Sequence, residues 1–263
     1  MFRCGFYQFR PLFGKVKKNV EKVAQTLDGV KADLLVLPEL AFTGYYFRDR
    51  EELFSLAEEL HQSPTVERLG DLCQKNEFHI VSGFAEREGE KIYNSALLIG
   101  PTGVVAQYRK IHLFNKEKDW FDPGNLPLNV ADVKGVKVGM MVCFDWIFPE
   151  VCRTLALKGA QIIAHPSNLV LSYCQQTMLS RSLENGVFSI TANRFGADRR
   201  PFGDLRFTGK SQVVDPRGNI IFRAASQRES LYVCEIDPMK ATQKMITEKN
   251  HILDDRRPEF YHI

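Results

Sequence analysis

The first third of the chain carries the apolar period of amphipathic helices. Between residues 13 and 27, lysines fall on one face of a predicted helix. The opposite face gathers the apolar side chains of Val16, Val20, Val23, Ala24 and Leu27. The same period predicts helices over residues 51–61 and 65–76. Each of these helices needs an apolar surface to pack on.

Apolar runs around these helices predict the strands that supply such a surface. "DLLVLPE" is a continuous run ended by proline, as expected for a fully buried strand. A strand is also predicted at the N-terminal "FRCGFYQF". Three more strands are predicted after the helices: "FHIVSGFAE", "KIYNSALLI" and "GVVAQYRK". The turn "GPTG" joins the last two of them. An irregular segment over residues 112–131 comes next.

Strands and helices alternate again in the second half. Helices are predicted over residues 149–157 and 173–185, interleaved with the strands "KVGMMV", "AQIIAHP" and "GVFSITANR". An antiparallel meander follows, with "PRG" as one of its turns: "GKSQVVD", "NIIFRA" and "LYVCEID". The last stretch of about 25 residues is rich in charge and irregular, and we expect this tail to lie over another surface.

Nothing in the sequence divides the chain. It has no Gly/Ser linker, no low-complexity tract and no solenoid repeat. We therefore predict one domain over residues 1–263, of the α/β (α+β) class, with sheet buried between helical layers.

Composition narrows the function classes. Hydrophobic residues make up 44% and charged residues 25% of the 263 residues, which is ordinary for a globular protein. The net charge is +3 without a basic stripe carrying aromatics, so no nucleic-acid partner is expected. The first ten residues do not resemble a signal peptide, and no apolar run approaches the roughly 20 residues of a membrane span. We expect a soluble cytoplasmic protein with no membrane partner.

The cysteines and histidines give no sign of a metal or a disulfide framework. Six cysteines are scattered without a CxxC pair: Cys4, Cys73, Cys143, Cys152, Cys174 and Cys234. Such cysteines are mostly reduced and buried, which disfavours a disulfide scaffold and a thiol redox protein. His112 and His165 fit no zinc-ligand spacing, which disfavours a zinc hydrolase. We expect no metal and no cofactor.

Cys143 stands where an apolar strand ends and a Pro-Glu helix start follows. Gly139 and the short turn allow the backbone to bend sharply, as at a nucleophile elbow, and Pro149 suits the first helical turn. Amides near the turn would stabilise a thiolate. The alternative is a core cysteine, and Cys143 alone does not decide between them.

Three charged residues follow or adjoin predicted strands. Glu39 comes after an apolar strand and a proline, where a desolvated carboxylate suits a general base; a surface glutamate is an equal alternative. Lys110 ends a strand and could stabilise an oxyanion, although an exposed lysine is the simpler reading. Glu117 lies in a charge run and carries little signal alone.

Together these motifs resemble the nitrilase superfamily of carbon–nitrogen hydrolases over essentially the whole chain. "LVLPEL", "YRKIHLF" and "CFDWIFPE" occur in the family's order, and "LALKGAQIIAHPSN" and "RSLENGVFSITANR" look like its later blocks. The resemblance implies a four-layer α-β-β-α sandwich. It also implies a homodimer paired through the helices after the nucleophile and after the "HP" strand.

The resemblance also implies roles for the site residues. Glu39 would be the general base, Lys110 the oxyanion stabiliser and Cys143 the nucleophile, with Glu117 orienting the lysine. The backbone N–H of Phe144 would complete the oxyanion hole. Several further residues would shape the pocket: Tyr45, Phe114, Trp146 and Asn168.

The substrate expectation is a small aliphatic amide or nitrile, hydrolysed with water through a Cys thioester to ammonia and a carboxylic acid. Ile147 stands where family members that bind a substrate carboxylate carry arginine, which disfavours an ω-amidase. An N-carbamoyl amine is the alternative substrate. A non-enzymatic scaffold of the same fold is a rival that Cys143→Ala would distinguish.

Overall fold

The computed structural model describes residues 1–261, and its first half builds most of one sheet and three helices. The elements in chain order are β1 (Phe2–Gln8), α1 (Val16–Leu27), β2 (Leu34–Val36), α2 (Arg50–Leu56), β3 (Glu58–Glu59), α3 (Pro64–Asn76), β4 (His79–Glu88), β5 (Lys91–Gly100) and β6 (Gly103–Arg109).

The second half builds a second sheet, a hairpin and the last strand of the first sheet. Its elements are α4 (Glu117–Trp120), β7 (Val130–Val133), β8 (Val136–Met140), α5 (Pro149–Leu157), β9 (Ile162–Ser167), α6 (Cys174–Asn185), β10 (Phe188–Asn193), β11 (Phe195–Arg200), β12 (Gly203–Thr208), β13 (Gln212–Val214), β14 (Ile220–Arg223) and β15 (Ser230–Ile236). Single 3₁₀ turns cover Leu60–Gln62, Cys143–Ile147, Pro238–Ala241 and Pro258–Phe260.

Both sheets have parallel strands at their centre. The first sheet runs β15-β1-β2-β4-β5-β6 with β3 beside β4, and the second runs β14-β13-β10-β9-β8-β7. Strands β1, β2 and β4 are parallel, as are β8, β9 and β10. The carboxyl ends of parallel strands share one edge of a sheet, which is the usual place for a functional site.

The two sheets face each other across an apolar core, with helices outside. Strand β2 shows the layering directly: Leu34 and Val36 belong to the core that joins the sheets, while Leu35 packs with Val23 of α1 and Leu72 of α3. Strand β9 contacts β2 and β4 from the opposite sheet, and α5 and α6 pack on the second sheet's side of the core. The predicted α-β-β-α sandwich is confirmed.

Three predicted elements need correction. The helix over residues 51–61 ends at Leu56, because Ala57 takes an extended conformation and β3 begins at the next residue. The irregular segment over 112–131 contains α4 and the start of β7. "LYVCEID" is not part of a meander with β13 and β14, since β15 pairs antiparallel with β1 and closes the first sheet.

One element was not predicted, and one expectation reaches beyond the described range. The hairpin of β11 and β12 was missed because its strands are rich in charged residues and glycine. The tail after Ile236 contains two 3₁₀ turns, and its last two residues lie outside the described range. Within residues 1–261, no helix is both long and apolar enough to cross a membrane.

Candidate active site

Glu39 is held in a tight loop at the carboxyl end of β2. The side chain is fully buried, and Leu40 after it has a positive φ of 46°. Gly83 of β4 lies against this loop so closely that a Cβ there would be 2.3 Å from the Glu39 Cα. The position opposite the loop therefore requires glycine, and this close backbone contact fixes where Glu39 lies relative to β4.

Lys110 lies at the end of β6 with its ammonium between two carboxylates. Its Nζ donates to Glu39 Oε1 and Glu117 Oε1, each at 2.8 Å, and no part of the side chain is exposed. Burial alone would lower the pKa of Lys110, but the charges of Glu117 and Glu39 outweigh it and raise that pKa. Nζ also lies 2.7 Å from Glu117 Oε2, so the two carboxylates surround the ammonium and keep it charged.

Glu117 begins α4 and is fully buried, although its neighbours in sequence are charged. It accepts a hydrogen bond from the Phe114 backbone N–H at 2.9 Å and another from the Tyr45 hydroxyl at 2.7 Å. Burial raises the pKa of Glu117 to about 7, against the lowering effect of Lys110. The structure thus brings Glu39, Lys110 and Glu117 into one hydrogen-bonded cluster.

Cys143 forms a sharp elbow after β8. Its φ is +43°, a conformation rare for residues other than glycine, and the 3₁₀ turn Cys143–Ile147 starts at the same residue. Burial and the charge of Glu39 raise the pKa of the Cys143 thiol, while Lys110 and the Asn168 backbone N–H act in the opposite sense. The raised pKa favours a thiol in the resting state, so attack requires a base.

A buried histidine supports the elbow from the second sheet. Nε2 of His165, on β9, donates to the Cys143 carbonyl at 2.9 Å, and its Nδ1 accepts from Thr191 Oγ1 at 3.1 Å. Burial lowers the pKa of His165 to about 4, so the ring is neutral near pH 7. Sequence analysis considered His165 only as a metal ligand, and its contact with Cys143 has no local sequence signal.

Two asparagines fix Glu39 from opposite sheets. Asn94 of β5 donates from Nδ2 to Glu39 Oε1 at 2.7 Å, and Asn168, after β9, donates to the Glu39 carbonyl at 2.9 Å. Among residues 1–261, Glu39 Oε2 has no hydrogen-bond partner. The sequence analysis did not single out Asn94 as a site residue. The signal that could have indicated it is a lone amide in the apolar strand "KIYNSALLI".

The chain also matches the model of a known protein family. The family model described as carbon-nitrogen hydrolase matches residues 5–244, which is most of the chain. The chain belongs to the carbon–nitrogen hydrolase family. It is 43% identical over 264 residues to a nitrilase of Pyrococcus abyssi, covering 99% of both chains. It is 34% identical to an (R)-stereoselective amidase of a Pseudomonas species, covering 86% of this chain and 82% of that one.

Solved structures agree with these relatives. A carbon-nitrogen hydrolase from Helicobacter pylori G27 has a TM-score of 0.88 at 26% identity, covering 99% of this chain and 97% of that one. An amidase from Nesterenkonia sp. AN1, of the nitrilase superfamily, has a TM-score of 0.80 at 25% identity, covering 98% of this chain and 95% of that one. A glutamate-to-glutamine mutant of that amidase shows the result of Michael addition of acrylamide at its active-site cysteine. Cys143 of this hydrolase lies at the position of the nucleophile in these amidase neighbours.

Aromatic side chains of the hydrolase gather beside the elbow. The rings of Phe114 and Phe144 are 5.0 Å apart, and Phe148 meets Phe144 edge-on at 5.5 Å. Phe144 is the second residue of the 3₁₀ turn, where a helix leaves the backbone N–H without an intrahelical acceptor. The Phe144 N–H therefore has no acceptor within the turn, and it lies next to the thiol-bearing residue.

The block after the cysteine presents no free cation. Trp146 is buried against Tyr173, and the Ile147 side chain is exposed. Arg181 of α6 donates to both of their carbonyls, at 3.1 Å to Trp146 and 3.3 Å to Ile147, and pairs with Glu184. The Arg181 guanidinium is thus engaged by the protein itself.

A large surface cavity lies away from the Glu39, Lys110, Glu117 and Cys143 cluster. A cavity of about 480 Å³ lies between α1 and α3, and none of the site residues lines it. We regard the buried cluster as the site, since the cavity walls carry no group arranged for bond cleavage. Among residues 1–261, no three His, Cys, Asp or Glu side chains are grouped to hold a metal ion.

Proposed function

We propose that this hydrolase cleaves the carbon–nitrogen bond of a small uncharged aliphatic amide or nitrile through a thioester on Cys143. The observation that carries the proposal is the fully buried cluster in which Lys110 bridges Glu39 and Glu117. The nucleophile and a backbone amide follow β8 on the facing sheet. Such a set provides a base, a fixed cation and a sulfur nucleophile without histidine or metal.

For an amide, Glu39 Oε2 takes the Cys143 proton as the sulfur attacks the carbonyl carbon. The electron pair moves to the oxygen, which the positive charge of Lys110 and the Phe144 N–H stabilise. The carbon–nitrogen bond then breaks, the nitrogen takes the proton from Glu39, and ammonia leaves. A thioester remains on Cys143.

Water completes the reaction by reversing these roles. Glu39 takes a proton from water as its oxygen attacks the thioester carbon, the carbon–sulfur bond breaks, and the sulfur regains the proton. A nitrile enters one step earlier: sulfur adds to the carbon, Glu39 protonates the nitrogen, and a first water adds before ammonia leaves. Because burial keeps Cys143 protonated, every step depends on Glu39 as the proton carrier.

An uncharged substrate is supported by the state of the nearby cations. Lys110 is held by two carboxylates, and Arg181 is bound to the carbonyls of the turn and to Glu184. A substrate carboxylate would therefore find no unpaired cation supplied by these two residues and would face Glu39 and Glu117.

A carbamoyl amine is the second candidate, and unpaired acceptors favour it. Asn94 Oδ1 and Asn168 Oδ1 are buried without a hydrogen-bond partner in the described chain, as is Glu39 Oε2. Three orphan acceptors suit a ligand rich in N–H groups, because unpaired buried oxygens cost free energy. N-carbamoylputrescine amidases of Solanum lycopersicum and Solanum tuberosum are each 27% identical to this chain.

Ammonia release over a substrate panel tests the proposal. The panel holds an aliphatic primary amide, a dinitrile, an N-carbamoyl amine and an α-keto acid amide that carries a carboxylate. We expect the highest kcat/KM for one of the three uncharged substrates. A preference for the carboxylate substrate would contradict the neutral site.

Two cysteine variants test the nucleophile and the scaffold alternative. Cys143→Ala should show no turnover, while Cys152→Ala, which removes another buried thiol on α5, should remain active. Mass spectrometry of the wild type during turnover should find the acyl group on the Cys143 peptide. Turnover by Cys143→Ala would refute the thioester.

We also propose that two protomers pair through the face of α5 and α6. Apolar side chains on and beside these helices are exposed in the single chain: Ile147, Leu157, Tyr173 and Leu183. Light scattering after gel filtration should give about twice the 30.1 kDa chain mass. A mass of 30.1 kDa at micromolar concentration would contradict this pairing.

A further inference from the structure

A second buried carboxylate lies behind the elbow, two residues after the nucleophile. Asp145 is fully buried and accepts three hydrogen bonds. Its Oδ2 accepts from the Val142 N–H at 2.8 Å and the Tyr108 hydroxyl at 2.7 Å, and its Oδ1 accepts from His112 Nδ1 at 2.8 Å. The carboxylate is thus held by donors from two different parts of the chain.

One donor belongs to the elbow itself. Val142 is the residue before the 3₁₀ turn, and Asp145 is its third residue, so the side chain reaches back to the backbone N–H that opens the turn. This contact brackets Cys143, whose φ of +43° requires support from its surroundings. Asp145 supplies that support from within the turn.

The other two donors bracket Lys110. Tyr108 precedes it by two residues on β6, and His112 follows it by two. The Tyr108 hydroxyl also accepts from the Ile111 N–H at 3.3 Å. The His112 ring is fixed by stacking on Phe148 with centroids 3.7 Å apart. Both flanks of the Lys110 backbone are therefore tied to the Asp145 carboxylate.

We propose that Asp145 is a positioning residue that sets the distance between the Lys110 ammonium and the Cys143 sulfur. Lys110 comes from the first sheet and Cys143 from the second. Asp145 links them through the Val142 backbone N–H on one side and the Tyr108 and His112 side chains on the other. It acts through Lys110 and Cys143 and does not touch the substrate. The inference rests on the roles proposed above for Lys110 and Cys143.

Asp145→Asn tests this with nearly unchanged shape. The amide keeps one acceptor oxygen but loses a second acceptor and the charge that hold Tyr108, Val142 and His112 together. We expect kcat to fall about 100-fold with KM changed less than about threefold, because a misplacement near 1 Å has that cost. Alkylation of Cys143 by iodoacetamide, followed by peptide mass spectrometry, should slow by at least about threefold.

Tyr108→Phe provides a second variant, should Asp145→Asn fail to fold. It deletes one donor and keeps the ring, and we expect about a tenfold loss in kcat. The double variant should be no slower than Asp145→Asn alone, since both changes release the same tie. Losses that multiply would overturn the proposal.

Asp33→Asn is the matched control for stability. Asp33 is also a buried carboxylate that accepts a backbone N–H, from Arg3 at 2.8 Å, but it lies at the opposite end of β2 from Glu39. It should lower the melting temperature without lowering kcat. An equal kcat loss in Asp33→Asn and Asp145→Asn would overturn the proposal, as would a kcat for Asp145→Asn within about threefold of wild type.

The iodoacetamide readout separates this inference from the proposed function. If the wild type hydrolyses no substrate of the panel, the proposed function fails, but the alkylation rates of Cys143 still compare its placement in the variants. If the panel succeeds and Asp145→Asn keeps both rates, the positioning role alone fails.

Discussion

The ammonium of Lys110 lies 2.8 Å from Oε1 of Glu39, and neither side chain has any exposed surface. Asn94 occupies the same oxygen from the other side at 2.7 Å. Oε1 is therefore committed to structural donors, while Oε2 has no partner among residues 1–261. The carboxylate has one anchored oxygen and one oxygen available for proton transfer.

Lys110→Met should abolish activity and destabilise the fold. Removing the cation leaves Glu39 and Glu117 buried beside each other without compensation, at a cost of about 3–5 kcal/mol. Urea unfolding measures the loss. The double variant with Glu39→Gln should regain part of that stability and remain inactive, and a double variant as unstable as Lys110→Met would contradict the buried pair.

Tyr45→Phe tests the support of Glu117. The Tyr45 hydroxyl donates to Glu117 Oε1 at 2.7 Å in the interior, and losing a hydrogen bond to a charged group costs roughly 1.5–3 kcal/mol. We expect kcat to fall about tenfold, as Lys110 loses a fixed partner. Tyr46→Phe is the control, because its hydroxyl donates to no residue of the described chain, and it should keep both activity and stability.

His165 should make the fold sensitive to acid in one pH window. Its pKa is lowered by burial from 6.5 to about 4, so the unfolded chain binds a proton below pH 6.5 that the native chain does not bind until about pH 4. The contribution of His165 to the free energy of unfolding is complete above pH 6.5. It falls by roughly 3 kcal/mol as the pH drops to 4. The difference in unfolding free energy between wild type and His165→Gln should shrink over that window; a constant difference would contradict it.

Gly83→Ala should displace Glu39 without touching its side chain. The added Cβ would lie 2.3 Å from the Glu39 Cα and 2.5 Å from the Leu40 nitrogen, both backbone atoms that cannot rotate away. We expect about 1–3 kcal/mol of destabilisation and a loss in kcat of about 100-fold. Gly70→Ala on α3, where nothing lies within 4 Å, should be neutral or stabilising.

Elements with a clear period were predictable, and elements fixed by distant partners were not. Helix α5 matches its prediction at both ends, since Pro149 marks the start and the apolar period continues to Leu157. The pairing of β15 with β1 joins residues more than 220 positions apart, so no local pattern indicates it. Ala57 leaves the helix because tertiary pairing of β3 overrides an apolar period.

The same division applies to the site. Cys143, Glu39 and Lys110 follow strands in recognisable motifs, so the sequence indicates them. Asn94 and His165 lie inside apolar strands and gain their roles from contacts with residues over 20 positions away. The burial of Glu117 was invisible in a charge run, because burial depends on how α4 packs and not on its neighbours in sequence.

The contact from Asn168 of the second sheet to the carbonyl of Glu39 in the first has a wider consequence. The reacting groups come from the two facing sheets, so their separation also depends on how closely the core lets those sheets pack. The turnover rate should therefore depend on the distance between the two sheets. A substitution in the core between the sheets, such as Ile162→Val, should slow the hydrolase before any unfolding is detectable. A search for variants with altered rates should therefore include the apolar interior as well as the pocket.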